Sequence, residues 1–183
     1  LLVSSGMLVG GVIGMFLAKQ VEMPQMPQLV ALFNGFGGIA SVLVAGAEVL
    51  RGAAATNQVV AGLAAGLAGL IGAATFSGSL IAAAKLHELP QFKNPWSFGG
   101  QQLANAVMLG IGLLLVFEMI DGTGWEFFPL VVLALLLGVL LTLPIGGADM
   151  PVVIALLNSY SGLAAAAAGF VIENRVLIIA GSL

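Results

Sequence analysis

The sequence contains no cysteine and a single histidine, His87. Without cysteine neither a disulfide framework nor a thiolate metal site can form, and one histidine cannot build a histidine cluster, so no metal site is expected. Charge is scarce as well: Asp, Glu, Lys and Arg make up 7% of the residues, against about 25% in soluble domains. No basic patch for nucleic acid is present, and the net charge of −3 rests on too few residues to indicate a partner.

Long apolar runs take the place of charge, and 60% of the 183 residues are hydrophobic. Runs of this length predict transmembrane helices, since a helix satisfies its own backbone in lipid. The chain is therefore predicted to be all-α, a polytopic transmembrane helix bundle in one domain over 1–183. The prolines lie at helix ends or in loops and support these boundaries. We place six full spans at about 1–18, 29–50, 59–84, 101–120, 129–143 and 152–172, and a truncated seventh at 176–183.

Both termini lie inside apolar runs, and the chain lacks a starting Met and a basic segment typical of a signal peptide. We therefore expect an excerpt of a longer polypeptide. Gly6, Gly10 and Gly14 form a ridge of the kind that packs against another helix. The fifth span, 129–143, is short and almost without polar residues, so we expect it to face lipid.

Polar residues inside the apolar spans are the candidates for function. Asn34, Ser41 and Glu48 are seven residues apart and lie on one stripe of the second span, which should face protein or water. Glu48, near the helix end, is instead expected to reach the interface. Thr75 and Ser79 share a face of the third span. Their hydroxyls either bond to their own helix carbonyls or belong to a polar pathway.

Asn158 is the polar residue that an isolated membrane helix explains least. It lies in the block Asn158–Ser161 of an otherwise apolar span, where an unpaired amide would cost several kcal/mol. Small residues follow it and allow a neighbouring helix to approach closely; they are Gly162, Ala165, Ala166 and Gly169. We predict an inner helix whose Asn158 points into the bundle and converges there with Asn34 and Ser79.

The connections between spans give an orientation and a helix cap. Those after spans one, three and five carry Lys19, Lys85 and Lys93, which favours the cytoplasm for that side. His87, in the longest connection, is expected to be solvated. Asp149 stands two residues before Pro151, where an acid can accept backbone N–H bonds at a helix start, and it is predicted to cap the sixth helix.

Three segments resemble one family. GGADMPVVIALLNSYSGLAAAAAGFVIEN, VEMPQMPQLVALFNGFGG and TFSGSLIAAAKL are similar to the membrane domain of the beta subunit of proton-translocating nicotinamide nucleotide transhydrogenase, and the similarity runs over the whole chain. Members of this family couple hydride transfer from NADH to NADP+ to inward proton movement. The resemblance implies a proton channel that holds no nucleotide site, with NAD(H) and NADP(H) bound by soluble domains outside this segment.

The resemblance also implies roles for particular residues. Asn158 matches the asparagine of the family's proton pathway, Ser79 a serine that lines it, and Asp149 the acid at its cytoplasmic mouth. Asn34 stands where some members have a histidine taken to be the protonatable group. Because asparagine cannot titrate, either the partner subunit supplies a histidine or water and Asn34 pass the proton.

The implied partners are the alpha subunit, the protein's own NADP(H)-binding domain and the lipid bilayer, in a homodimer of the whole enzyme in a bacterial inner membrane. A second hypothesis is a secondary transporter for a small solute. It would require inverted repeats and broken mid-membrane helices, and the sequence shows no convincing repeat. A purely structural anchor would leave three asparagines inside apolar helices without an explanation: Asn34, Asn105 and Asn158.

Overall fold

The computed structural model describes residues 2–52, 57–92, 94–121 and 124–183. Leu1, the predicted start of the first span, and Lys93, one of the lysines used for orientation, lie outside the described residues. The described chain folds into seven α-helices, and two short 3-10 turns, Met23–Gln25 and Gly147–Asp149, precede the second and sixth. The helices are α1 (Leu2–Gln20), α2 (Met26–Arg51), α3 (Gln58–Leu86), α4 (Gln101–Glu118), α5 (Phe127–Thr142), α6 (Met150–Val171) and α7 (Arg175–Ser182).

The all-α fold class and the order of the apolar helices are confirmed, but the number of full spans differs from the prediction. Five helices, α1–α4 and α6, are long and apolar enough to cross a membrane. α5 has 16 residues. At about 1.5 Å per residue it is roughly 24 Å long, shorter than the hydrocarbon core of about 30 Å. It is therefore a short apolar helix, although we predicted a full span there.

Glycine lets α2 and α3 cross almost in backbone contact. A Cβ added at Gly38 would lie 2.6 Å from the carbonyl oxygen of Gly72, and one added at Gly72 would lie 2.6 Å from that of Gly38. Small residues allow this approach between membrane helices, where dispersion contacts replace the hydrophobic effect. α3 is the central helix: α2, α4, α5 and α6 all pack against it.

α5 is not simply a lipid-facing helix, as the lack of polar residues had led us to expect. Gly138 lies against Ala74 and Ser77 of α3, and Leu130 and Ala134 are fully buried. Only its other side, with Val132 and Leu136, is exposed. An apolar sequence fits lipid and a packed interior equally well, which is why its composition did not distinguish the two.

α1 behaves differently from the other long helices. None of its residues is buried, and a Cβ added at Gly6, Gly10 or Gly14 would meet nothing within 4 Å. The predicted glycine ridge therefore makes no close helix contact within the described chain. The small residues of α6 do: Gly162 approaches Gly181, and Gly169 approaches Ile178 of α7.

The helix ends correct two predictions. Asp149 occupies the N-cap position of α6, but its side chain makes no capping hydrogen bond. Its backbone is helical, and Pro151, at the second helical position, has no N–H to offer, so the usual capping geometry is missing. Lys85 is not a loop residue: it lies in the last turn of α3 and is 4% exposed. His87 is exposed as predicted, and its Nδ1 lies 3.1 Å from the Gln28 side-chain oxygen.

Candidate functional site

A hydrogen-bonded polar centre joins three helices in the interior of the bundle. The Asn34 side-chain nitrogen on α2 donates to the Ser79 hydroxyl on α3 at 3.1 Å. The Ser161 hydroxyl on α6 donates to the Asn34 side-chain oxygen at 2.6 Å. Asn34 and Ser79 are both buried, and Ser161 is half-buried. We call Asn34, Ser79 and Ser161 the polar triad.

The close crossing of α2 and α3 brings the triad together. Gly35 follows Asn34, and a Cβ there would lie 3.1 Å from the Ser79 Cβ. A larger residue at this position would push α3 away from α2. Asn34 is eight residues into α2, which at 1.5 Å per residue is roughly 12 Å from its first residue. The triad therefore lies well inside the apolar region, where each of its polar atoms needs a partner.

The triad is neutral, and its hydrogen bonds can change direction. Besides Asn34, the Ser161 hydroxyl has a second acceptor, the backbone carbonyl of Asn158 at 2.9 Å. One hydroxyl proton can satisfy only one acceptor fully, so Ser161 has two alternative orientations. An amide both donates and accepts, so Asn34 links two hydroxyls into one chain. Such a chain can orient water, but it holds no group that titrates near neutral pH.

Thr75 is a further buried polar residue, one turn before Ser79 on α3. Its side chain is 1% exposed, and among the described residues its hydroxyl has no hydrogen-bond partner. Of the two residues for which the sequence left these alternatives open, Ser79 is bonded across the helix interface to Asn34, whereas Thr75 makes no hydrogen bond to its own helix among the described residues. The neighbouring Ser77 does bond back to the carbonyl of Ala73, at 3.2 Å. A buried hydroxyl without a partner beside the triad is a place where a water molecule would gain hydrogen bonds.

Asn158 does not join the triad, contrary to the predicted convergence. Its side chain is exposed on the surface of this chain, and among the described residues no hydrogen bond to its amide is found. The buried residues of α6 explain why: Ile154, Leu157, Ala164 and Ala168 repeat at helical spacing, and Ser161 falls on that stripe while Asn158 does not. This spacing was the sequence signal for Ser161, which our predictions did not include.

Two further polar positions of the sequence prediction lie apart from the triad. Ser41 is buried and bonds to the carbonyl of Gly37, within its own helix. Asp149 is exposed at the start of α6. It is twelve residues from Ser161, or roughly 18 Å along the helix. Asp149 therefore lies at an end of the bundle and not in its polar interior.

The fold and the polar triad define the class of protein: a polytopic helical membrane protein with a hydrogen-bonded polar centre. The family follows from comparison with known proteins. The model of the family described as NAD(P) transhydrogenase beta subunit matches residues 1–183, so the chain belongs to that family. Two relatives, both called NAD(P) transhydrogenase subunit beta and both from Rhodospirillum rubrum, are 47% identical over 96% of the chain.

The chain spans 39% of the length of these relatives.

Proposed function

We propose that this chain is the proton-translocating membrane domain of a nicotinamide nucleotide transhydrogenase. In this proposal it couples hydride transfer between NAD(H) and NADP(H) to proton movement across the membrane. The observation that carries the proposal is the polar triad, a hydrogen-bonded chain of three side chains from three helices, buried in an otherwise apolar bundle. Apolar side chains in place of the triad would pack equally well without the free-energy cost of burying polar groups, so the presence of these polar groups indicates a function.

The chemistry of the triad fits an orienting role in the proton pathway. Hydroxyl and amide groups can order a file of water molecules, and Thr75 adds a buried hydroxyl with no partner among the described residues. A neutral triad needs a titratable group from elsewhere. Asn158 is exposed at the side of α6, where an amide facing lipid would be costly. We infer that a helix of the alpha subunit covers this face and supplies the titrating group.

The alternative of a secondary transporter receives no support from the helices that carry the triad. Binding sites of such transporters are built from discontinuous helices with unwound segments near the midplane. α2, α3 and α6 are each continuous through the triad, from Met26 to Arg51, Gln58 to Leu86 and Met150 to Val171. We therefore keep the channel hypothesis.

The remaining assignments of the proposal concern the whole enzyme. NAD(H) and NADP(H) bind to soluble domains outside this segment, and the enzyme is placed in a bacterial inner membrane with the alpha subunit as partner. Asp149 is exposed at the end of the bundle that carries the connections after α3 and α5. An exposed carboxylate there is available to the NADP(H)-binding domain, which we propose as its partner.

The test replaces Asn34 by Leu in the complete enzyme, reconstituted in vesicles. Loss of the amide interrupts the hydrogen-bonded chain between Ser79 and Ser161. A barrier to proton transfer raised by about 1.4 kcal/mol makes the transfer tenfold slower, so proton uptake and reverse transhydrogenation should fall together by about tenfold or more. A cyclic reaction between bound NADP(H) and NAD(H) analogues, which needs no proton movement, should be retained. Asn158→Leu should behave in the same way.

Ser41→Ala is the matched control, because Ser41 is a buried polar residue of the same helix whose hydroxyl, among the described residues, bonds only to the Gly37 carbonyl of α2. Proton uptake by Ser41→Ala should stay near the wild-type rate. Wild-type proton uptake by Asn34→Leu would show that the triad is a packing feature and would remove the main support for the proposed function.

A further inference from the structure

Lys85 is a buried cation in the last turn of α3. Its Nζ donates to the backbone carbonyls of Leu143 and Ile145, both at 2.5 Å. Leu143 directly follows α5, and Ile145 belongs to the turn that leads to α6. A lysine that binds backbone carbonyls at the ends of helices also interacts favourably with the negative ends of their dipoles. Lys85 therefore connects three elements: α3, the end of α5 and the turn before α6.

The carbonyls at the end of α5 need such a partner. The last four carbonyls of a helix have no N–H partner within that helix. In lipid no water is present to donate hydrogen bonds to them instead. The end of α5 lies level with the last turn of α3, which carries Lys85. Two further donors reach the same end: Gln101 of α4 bonds to Leu140 at 2.7 Å, and the Trp96 backbone N–H bonds to Leu143 at 3.2 Å.

The segment that Lys85 holds leads directly into α6. Residues 143–149 connect α5 to Met150. Met150 is fully buried and packs with Ala31, Ala82 and Ile154. α6 then carries Ser161, while α3 carries Ser79 six residues before Lys85. Lys85 thus links the turn before α6 to the helix that carries Ser79.

We propose that Lys85 is a positioning residue for coupling: it holds the 143–149 turn, which bears Asp149 and starts α6, in place against α3. The proposal rests on the proposed function, because coupling has meaning only if the bundle moves protons. Displacement of this turn would shift Asp149 at the surface and Ser161 in the interior together. Lys85 acts through the carbonyls of Leu143 and Ile145.

The experiment uses the complete enzyme with Lys85→Met, which keeps an unbranched side chain one heavy atom shorter than lysine and removes its donors. Lys85→Arg restores donors, and Lys19→Met is the control, since Lys19 is an exposed lysine in the last turn of α1. The first readout is the number of protons moved per hydride transferred. If Lys85→Met only destabilises the bundle, the rates of proton movement and of hydride transfer fall together and their ratio stays unchanged. A positioning role predicts a lower ratio in Lys85→Met and at least partial recovery of the ratio in Lys85→Arg.

The second readout is the exposure of the turn. The 183 residues contain no cysteine, so Met150→Cys introduces one thiol at a buried position, and enzyme without it corrects for thiols elsewhere. Loss of two charge-assisted hydrogen bonds should open the turn and raise the rate of maleimide labelling by about tenfold or more in the Lys85→Met background.

An unchanged proton-to-hydride ratio together with unchanged labelling would overturn the proposal. Should Lys85→Met fail to accumulate in the membrane, Lys85→Gln, which retains an amide donor, decides by the same two readouts. The labelling also separates this inference from the proposed function. If the unaltered enzyme moves no protons, the proposed function fails, and labelling still reports whether Lys85 holds the turn.

Discussion

The crossing of α2 and α3 offers the most direct structural test, through Gly38→Ala. The added Cβ would lie 2.6 Å from the carbonyl oxygen of Gly72 and 3.3 Å from the Cβ of Thr75. A carbon and a carbonyl oxygen normally approach to about 3.3–3.6 Å, so the two helices must separate by about 0.7 Å or more. Because backbone meets backbone here, no flexible side chain can move aside to relieve the clash.

The separation reaches the polar triad, which lies one turn away. The hydrogen bond from Asn34 to Ser79 measures 3.1 Å, and an added 0.7 Å would stretch it to about 3.8 Å, beyond hydrogen-bonding distance. Overpacking of this kind costs about 1–3 kcal/mol of stability. We therefore expect Gly38→Ala to lower the thermal stability of the purified enzyme and to reduce proton uptake by vesicles by about tenfold.

Gly37→Ala is the matched control, since it adds the same methyl group to the neighbouring residue of α2. A Cβ at Gly37 meets nothing within 4 Å, so this variant should keep both stability and proton uptake. The fluorescence quenching of an acridine dye measures uptake, and a thermal melt in detergent measures stability. If Gly38→Ala and Gly37→Ala are indistinguishable in both assays, the helices do not cross as closely as described.

Two further predictions concern packing and charge. The ring of Phe127 lies between Gly46 and Gly69, and the residue is 4% exposed. Phe127→Ala should therefore leave a cavity and lower the stability measured in a detergent melt by up to about 3–5 kcal/mol. Phe128→Ala, at an exposed position, should have little effect on the same melt. Asp149→Asn should leave the stability of the bundle unchanged, because the carboxylate makes no capping hydrogen bond. If the charge contacts the NADP(H) domain, the same variant should reduce transhydrogenation and proton uptake together. Unchanged rates of both reactions would show that the charge has no such role.

The sequence alone determined the class of fold and much of its helix pattern. Scarce charge and long apolar runs required a helical membrane protein, because only structures that satisfy their own backbone are stable in lipid. Prolines and short polar connections placed the helix ends to within a few residues. Asn34 and Ser79 could be singled out because a polar residue on an apolar helix must find a partner, and the structure brings these two together.

The tertiary structure alone decided which side chains meet. Helical periodicity defines a stripe but not the neighbour it faces, so Ser161 and not Asn158 completed the triad. The burial of Lys85 could not be predicted from its place beside a loop, because its acceptors, the carbonyls of Leu143 and Ile145, lie far along the chain. α5 and α1 show the same limit: both are apolar, yet one packs against α3 and the other has no buried residue, since apolar side chains fit a protein interior and lipid equally well.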